Sequence, residues 1–525
     1  MRHEFWLNRR EPGTLITSPV GRGRSASKDA IRVRAYGLTE CRGPSPGLLR
    51  NPTSPRWGYG SPESDSRAIV NMIQGLSTCL GERRTMSFGD VRVAERADWL
   101  IERVATAGTL VLRKLGETRA GEKAVHRFLS SPYVSVDRIV ETLAARTAGQ
   151  CAGRRILAVQ DTTEINFGGR DKKRRGFGPA GDGKTPGFFI HPVIAIDIES
   201  EAVVGLVDAE IWTRSAGRVT SRRSRTIEEK ESVRWLSGCQ AAASVLSDAT
   251  AVTMVADRES DIYLLFARKP DRFDLIVRAG QDRSLADGGT LFGVLAGAEP
   301  LSRSDVRVAP RGPGDKGRVA SIELRAGAVH IARTRTLRQS EAPDTVDLTL
   351  VEAREVNAPF GKTPLLWRLL TTRKVTCAAE AEDIVQLYRL RWRIEQIFRA
   401  LKGDGLALDD SQVTDAERMF NLAAIGLAGA IRTIQLVDAR DGGPRPASDV
   451  IDANFAVALE RLSEKLEGKT LRQKNPHPIG SLAFVSWIAA RLGGWNCYYK
   501  PPGPKTMRDG WSRLAAILEG YALAS

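Results

Sequence analysis

The segment QLYRLRWRIEQIFRALK, residues 386–402, carries Tyr388, Arg391, Glu395 and Lys402 among apolar residues at helical spacing. On an unbroken helix turning about 100° per residue, these four positions share a stripe of roughly 60°. A lone carboxylate among cations has two readings. The commoner is a salt-bridge ladder within the helix, since Arg391, Glu395 and Arg399 follow one another at intervals of four. In the other, Glu395 holds a metal ion while the phenol and the cations bind phosphates around it. Tyr388 would then act by a hydrogen bond, Arg391 as a guanidinium fork, Lys402 as a point charge, and Arg399 as a lesser contact.

Metal-assisted phosphoryl transfer needs more than one acid, because two cations about 3.5–4 Å apart share their carboxylate ligands. Magnesium takes oxygen ligands and keeps several waters, so about three carboxylates suffice. Asp161 directly follows the apolar run ILAVQ, and Asp257 directly follows AVTMVA. Sites in open α/β sheets form beyond the carboxyl ends of strands, where both acids fall. Alternatively each is a turn residue or a helix cap. Asp257 would then cap a helix predicted at 261–268, a place for which Asp261 competes.

The elements that must position these residues follow from periodicity. Residues 1–70 are rich in Pro, Gly, Ser and basic residues, and predict a disordered extension. They read either as a basic arm or as an over-long translation start, with Met72 or Met86 nearer the true beginning. Residues 71–150 show helical spacing and predict a small basic helical domain. From 151 the pattern turns to strands at 154–160, 187–198, 202–212, 251–256 and 273–280, with helices at 228–246 and 261–268, an α/β arrangement. Residues of about 280–375 alternate apolar and polar side chains, which predicts an inserted antiparallel β subdomain. Helical pattern resumes at 381. The apolar run at 419–431 is too short to span a bilayer and predicts a buried helix.

The 525 residues carry 78 Lys and Arg against 62 Asp and Glu, a net charge of +16. That excess suits a polyanionic partner such as nucleic acid, though solubility alone accounts for it equally well. Basic runs at 168–184 and 220–226 are candidates for phosphate-backbone contact. Six scattered cysteines, with no CxxC, argue against zinc or a disulfide framework and suit a reducing cytoplasm.

The spacing of Tyr388, Arg391, Glu395 and Lys402, with DTT at 161–163 and DRESDIY at 257–263, resembles the DDE transposases of bacterial insertion sequences. The similarity is to the insertion sequence four family, which includes the transposase of transposon five. It extends to LLWRLLTT (365–372), RFLSSPYVS (127–135) and AARLGGW (489–495), and so over roughly residues 86–525.

The resemblance implies an RNase H-like core at 151–440 with the β-rich insertion at about 280–375. It also implies a helical DNA-binding domain at 71–150 and a helical dimerisation region at 441–525. Asp161, Asp257 and Glu395 become ligands of two Mg2+ ions, with Mn2+ a substitute. Trp367 becomes the platform for a base extruded during hairpin formation, and Arg278 a contact to that nucleotide. The implied activity is cut-and-paste transposition on terminal inverted repeats and target DNA by a homodimer. It is cytoplasmic, associated with the nucleoid when DNA is bound, with no membrane partner. The alternatives are an inactive or repurposed DNA-binding descendant, or a nuclease without strand transfer.

Overall fold

The computed structural model describes residues 88–167, 174–181, 183–214, 231–308, 317–335, 337–403 and 405–524. The extension expected at 1–70, the basic run at 220–226 and the first part of that at 168–184 lie outside the described residues.

Among the described residues four helices come first: α1 (Val91–Ala107), α2 (Leu112–Gly116), α3 (Arg119–Leu129) and α4 (Val136–Cys151). Asp90, Thr118 and Ser135 start α1, α3 and α4 by accepting backbone N–H groups of the first turn. Five strands follow: β1 (Arg155–Gln160), β2 (Thr163–Asn166), β3 (Gly178–Pro179), β4 (Pro186–Asp197) and β5 (Ala202–Trp212). Next come α5 (Val233–Val245), β6 (Ala251–Ala256), α6 (Tyr263–Ala267) and β7 (Phe273–Arg278). After them stand β8 (Ser302–Val308), β9 (Arg318–Ala332), β10 (Thr345–Val356) and β11 (Leu366–Thr371). The chain ends in α7 (Ala378–Arg389), α8 (Trp392–Leu401), α9 (Ala416–Ala439), α10 (Ala456–Leu466), α11 (Leu482–Leu492) and α12 (Pro504–Ala524).

One mixed sheet runs β2-β4-β1-β6-β7-β11-β10-β9-β8, with β3 and β5 also paired to β4. The parallel trio β1, β6 and β7 lies at its centre. In β1 and β6 every residue after the first is buried, the pattern of strands covered on both faces. The segment expected as an inserted antiparallel β subdomain continues this sheet. Its last strand, β11, pairs antiparallel with β7, placing Leu369 opposite Arg278. An otherwise open β7 edge is thereby covered.

One apolar core joins the helices of 91–151 to one face of the sheet and to α7–α9. A second fills the other face under α5 and α6, and a third joins the end of α9 to α10–α12. Helix α9 is long and apolar enough to cross a membrane by composition alone, yet 83% of its apolar window is buried inside the protein. A Cβ at Gly429 would come within 2.9 Å of Val104, so glycine there lets α1 approach α9.

The single helix predicted through 386–402 is broken. Helices α7 and α8 meet at Leu390–Arg391, where successive N–H groups bond three residues back rather than four. Three arginines at the junction are tied to three different elements. Arg389 pairs with Glu201 in the β4–β5 turn at 3.2 Å, Arg391 with Asp161 after β1 at 2.5 Å, and Arg393 with Asp438 of α9 at 2.7 Å. The tightened turn lets all three reach their partners.

Candidate active site

Asp161 and Asp257 each stand one residue beyond the ends of adjacent parallel strands. The register pairs Val159 of β1 with Val255 of β6, so the two backbones leave the sheet side by side, about 4.8 Å apart. Asp257 accepts the Glu259 N–H at 2.8 Å and caps a 3₁₀ turn, Arg258–Ser260. Helix α6 has no side-chain cap. Asp261 does other work: its buried carboxylate accepts the N–H groups of Gly280 and Gln281 and pairs with Arg283.

Glu395 lies in the first turn of α8, about one-third exposed. The Arg391 guanidinium joins it to the strand ends, 2.5 Å from the Asp161 carboxylate and 3.4 Å from that of Glu395. Burial pushes the Asp161 carboxyl up to about 7; the charges of Asp257 and Glu395 add to the rise, while Arg391 and the Thr162 N–H oppose it. Both other acids therefore act on Asp161 through space. As placed, no three His, Cys, Asp or Glu side chains among the described residues stand close enough together to form a ligand set. Arg391, instead, supplies the counter-charge.

Tyr388 is almost wholly buried, and its ring packs edge-on against Trp367 at 5.2 Å between centroids. Burial raises the phenol pKa, while the charges of Arg391, Arg278, Asp257 and Asp161 also bear on it. Its polar end thus senses the same site as the acids. Trp367, expected as the platform for an extruded base, is only 5% exposed. It is a core side chain beneath Tyr388. Arg278, half-buried at the end of β7, reaches the Leu366 carbonyl at 3.5 Å. Lys402 ends α8, its pKa lowered by burial against the pull of Glu164, Asp409 and Glu395. Arg399 is exposed.

The sequence reading missed a layer behind Asp161. Thr162 contacts both His191 and Arg234; His191 contacts Gln160; and Arg234 reaches Glu259. The DTT and DRES motifs hold two of these residues, Thr162 and Glu259, but nothing in their spacing signals Gln160, His191 or Arg234.

Residues 296–430 match the family model of the transposase DDE domain. The match runs from ahead of β8 into α9 and takes in Trp367, Tyr388, Arg391, Glu395, Arg399 and Lys402. Asp161, Asp257 and Arg278 precede it. It supports a DDE transposase, a class that acts on DNA and generally uses divalent metals.

Proposed function

We propose that the chain is a DNA transposase of the insertion sequence four type, similar to that of transposon five. It works by metal-dependent nicking at transposon ends, hairpin formation and strand transfer. The observation that carries this reading is the meeting of residues far apart in sequence: Asp161 and Asp257 at neighbouring strand ends, and Glu395 linked to Asp161 through Arg391. The strand order β5-β4-β1-β6-β7, antiparallel and then parallel, supports an RNase H-like core. Helices within 71–150 are proposed to read the end DNA, and those of 441–525 to pair two subunits.

The donor set is all carboxylate oxygen, which fits Mg2+ or Mn2+. Asp161, Asp257 and Glu395 would hold two such ions, which when bound supply charge to the attacking and leaving oxygens. Arg391 would then exchange Asp161 for a DNA phosphate, its fork suiting two phosphate oxygens. Tyr388, beside it, would direct its hydroxyl to the same phosphate, and Arg278 would neutralise the neighbouring one. Lys402 and Arg399 extend the positive surface along α8.

The test uses duplex DNA carrying the inverted repeats that flank the coding region. Nicking at the repeat boundary should require Mg2+ or Mn2+ and vanish in Glu395→Gln. Full nicking by that variant would remove Glu395 from the site. Specific binding without cleavage by the unaltered protein would favour the repurposed DNA-binding descendant, and cut ends that never join would favour a nuclease.

A further inference from the structure

Gln160 and Thr162, the two residues flanking Asp161, belong to one closed set of hydrogen bonds. Its direction can be assigned from one end, because a guanidinium only donates. The Nε–H of Arg234 donates to Thr162 Oγ1 at 3.1 Å. That leaves the threonine proton for His191 Nδ1, 2.9 Å away. His191 must then carry its own proton on Nε2, which faces Gln160 Oε1 at 3.2 Å. The Gln160 amide in turn donates to the Trp235 carbonyl at 3.2 Å. The set starts on Arg234 and ends on Trp235, neighbours in α5.

Burial makes this assignment firm. Gln160 is 0%, His191 2%, Arg234 8% and Trp235 1% exposed, so each proton must find a protein partner. Burial, with the Arg234 charge beside it, holds the His191 pKa well below that of a free imidazole, consistent with a single proton on the ring. Gly238, one turn beyond Trp235, makes room: a Cβ there would stand 2.7 Å from Gln160 Oε1. Arg234 also donates to the Glu231 carbonyl at 2.5 Å and reaches Glu259, two residues past Asp257, at 3.4 Å. With its side chain 9% exposed and set near the rings of Trp212 and Trp235, it is too enclosed to grip a DNA backbone.

We propose that Arg234 is a positioning residue: the ring it begins clamps the chain on both sides of Asp161, and its contact with Glu259 ties that turn to the turn of Asp257. It sets the separation of the two acids and touches neither. This rests on the metal-binding reading of Asp161 and Asp257.

The experiment uses full-length protein without DNA and counts bound Mn2+ by the loss of the free-ion electron paramagnetic resonance signal. Asp161→Asn is the control. Thr162→Val and Arg234→Met should each weaken binding about tenfold, the lower end for residues that orient metal ligands. The double variant should be no weaker than the weaker single, since both break one ring, and Thr162→Ser should restore binding. Gly238→Ala should weaken binding as well, by displacing Gln160. Thermal melting separates these effects from loss of fold. Additive losses, or unchanged binding in folded Thr162→Val, would overturn the proposal. Nitrogen-15 spectra of the histidines give a second arm: His191 should carry Nε2–H in the unaltered protein, and a proton on Nδ1 would overturn the ring. Should the unaltered protein bind no Mn2+, the metal reading of the site falls, and the histidine spectra alone decide whether the ring exists.

Discussion

The Arg391 guanidinium stands 2.5 Å from the Asp161 carboxylate, although 230 residues separate the two in the chain. Both side chains are largely buried, at 8% and 14% exposure. One cation thereby bridges the end of β1 to Glu395 at the start of α8, and offsets repulsion among three acids. A guanidinium in that place stabilises the ionised form of the acids it touches.

Removing that cation should therefore cost stability. Breaking a buried pair from one side typically costs about 3–5 kcal/mol, because the remaining charge is left uncompensated. Arg391→Ala is expected to lose about 3 kcal/mol near neutral pH without divalent ions. Added Mg2+ should raise its melting temperature more than that of the unaltered protein. Equal melting temperatures for the two proteins in chelator would show that the pair carries no such weight.

Asp161 also makes stability depend on pH. Its folded pKa of about 7 lies above the roughly 3.9 of an unfolded aspartate. The native state therefore binds the extra proton, and the associated stability is fully present below about pH 4 and lost as pH rises through about 7. Asparagine mimics the protonated form. The fall in stability that Asp161 causes as pH rises from about 4 through about 7 should thus be absent from Asp161→Asn, so the difference between the two proteins should shift in the variant's favour across that range, whatever its offset from the lost pair with Arg391. Urea midpoints at several pH values, in chelator, measure it. A gap independent of pH would contradict a raised pKa.

Trp367 supports Tyr388 from below, so its truncation should act on every step. Trp to Ala in a core costs about 3–5 kcal/mol. Trp367→Ala is expected to slow first-strand nicking and hairpin formation together, and Trp367→Phe to recover much of both. Selective loss of the hairpin with nicking intact would instead show that the ring is uncovered to meet a base during the reaction.

The sequence made the strands before Asp161 and Asp257 readable because both are buried on two faces and so appear as unbroken apolar runs. Asp161 and Asp257 were visible as candidates for the same reason: each ends such a run. The break at Leu390–Arg391 was not readable, since Glu201, Asp161 and Asp438, which draw the three arginines apart, lie far away in sequence. Alternation within 280–375 signalled antiparallel strands, but only the pairing of Leu369 with Arg278 shows that they extend the central sheet. Gln160, His191 and Arg234 are unremarkable singly, and become a network only once β1, β4 and α5 are packed together.

Arg399 offers a contrast with Arg391. Being exposed, it should matter for DNA and not for the fold. Arg399→Ala is expected to change stability by less than about 0.5 kcal/mol. If it neutralises one phosphate, the slope of log affinity against log salt should fall by about 1. Fluorescence anisotropy of labelled end DNA across a potassium chloride series measures this. An unchanged slope would place Arg399 off the DNA path.

Asp261 shares a motif with Asp257, yet its surroundings assign it to the scaffold. Its carboxylate is fully enclosed, accepts two backbone N–H groups and pairs with the buried Arg283. Gly280, one of those partners, lies two residues past Arg278, so Asp261 ties the exit of β7 to the turn after β6. Asp261→Ala should cost about 3–5 kcal/mol by leaving Arg283 buried and unpaired. The double variant with Arg283→Met should cost less than Asp261→Ala alone, because no lone charge remains. Urea denaturation of the three proteins decides it: if the double variant is the least stable, the two side chains contribute independently, and the Asp261–Arg283 pair is not what holds this corner together.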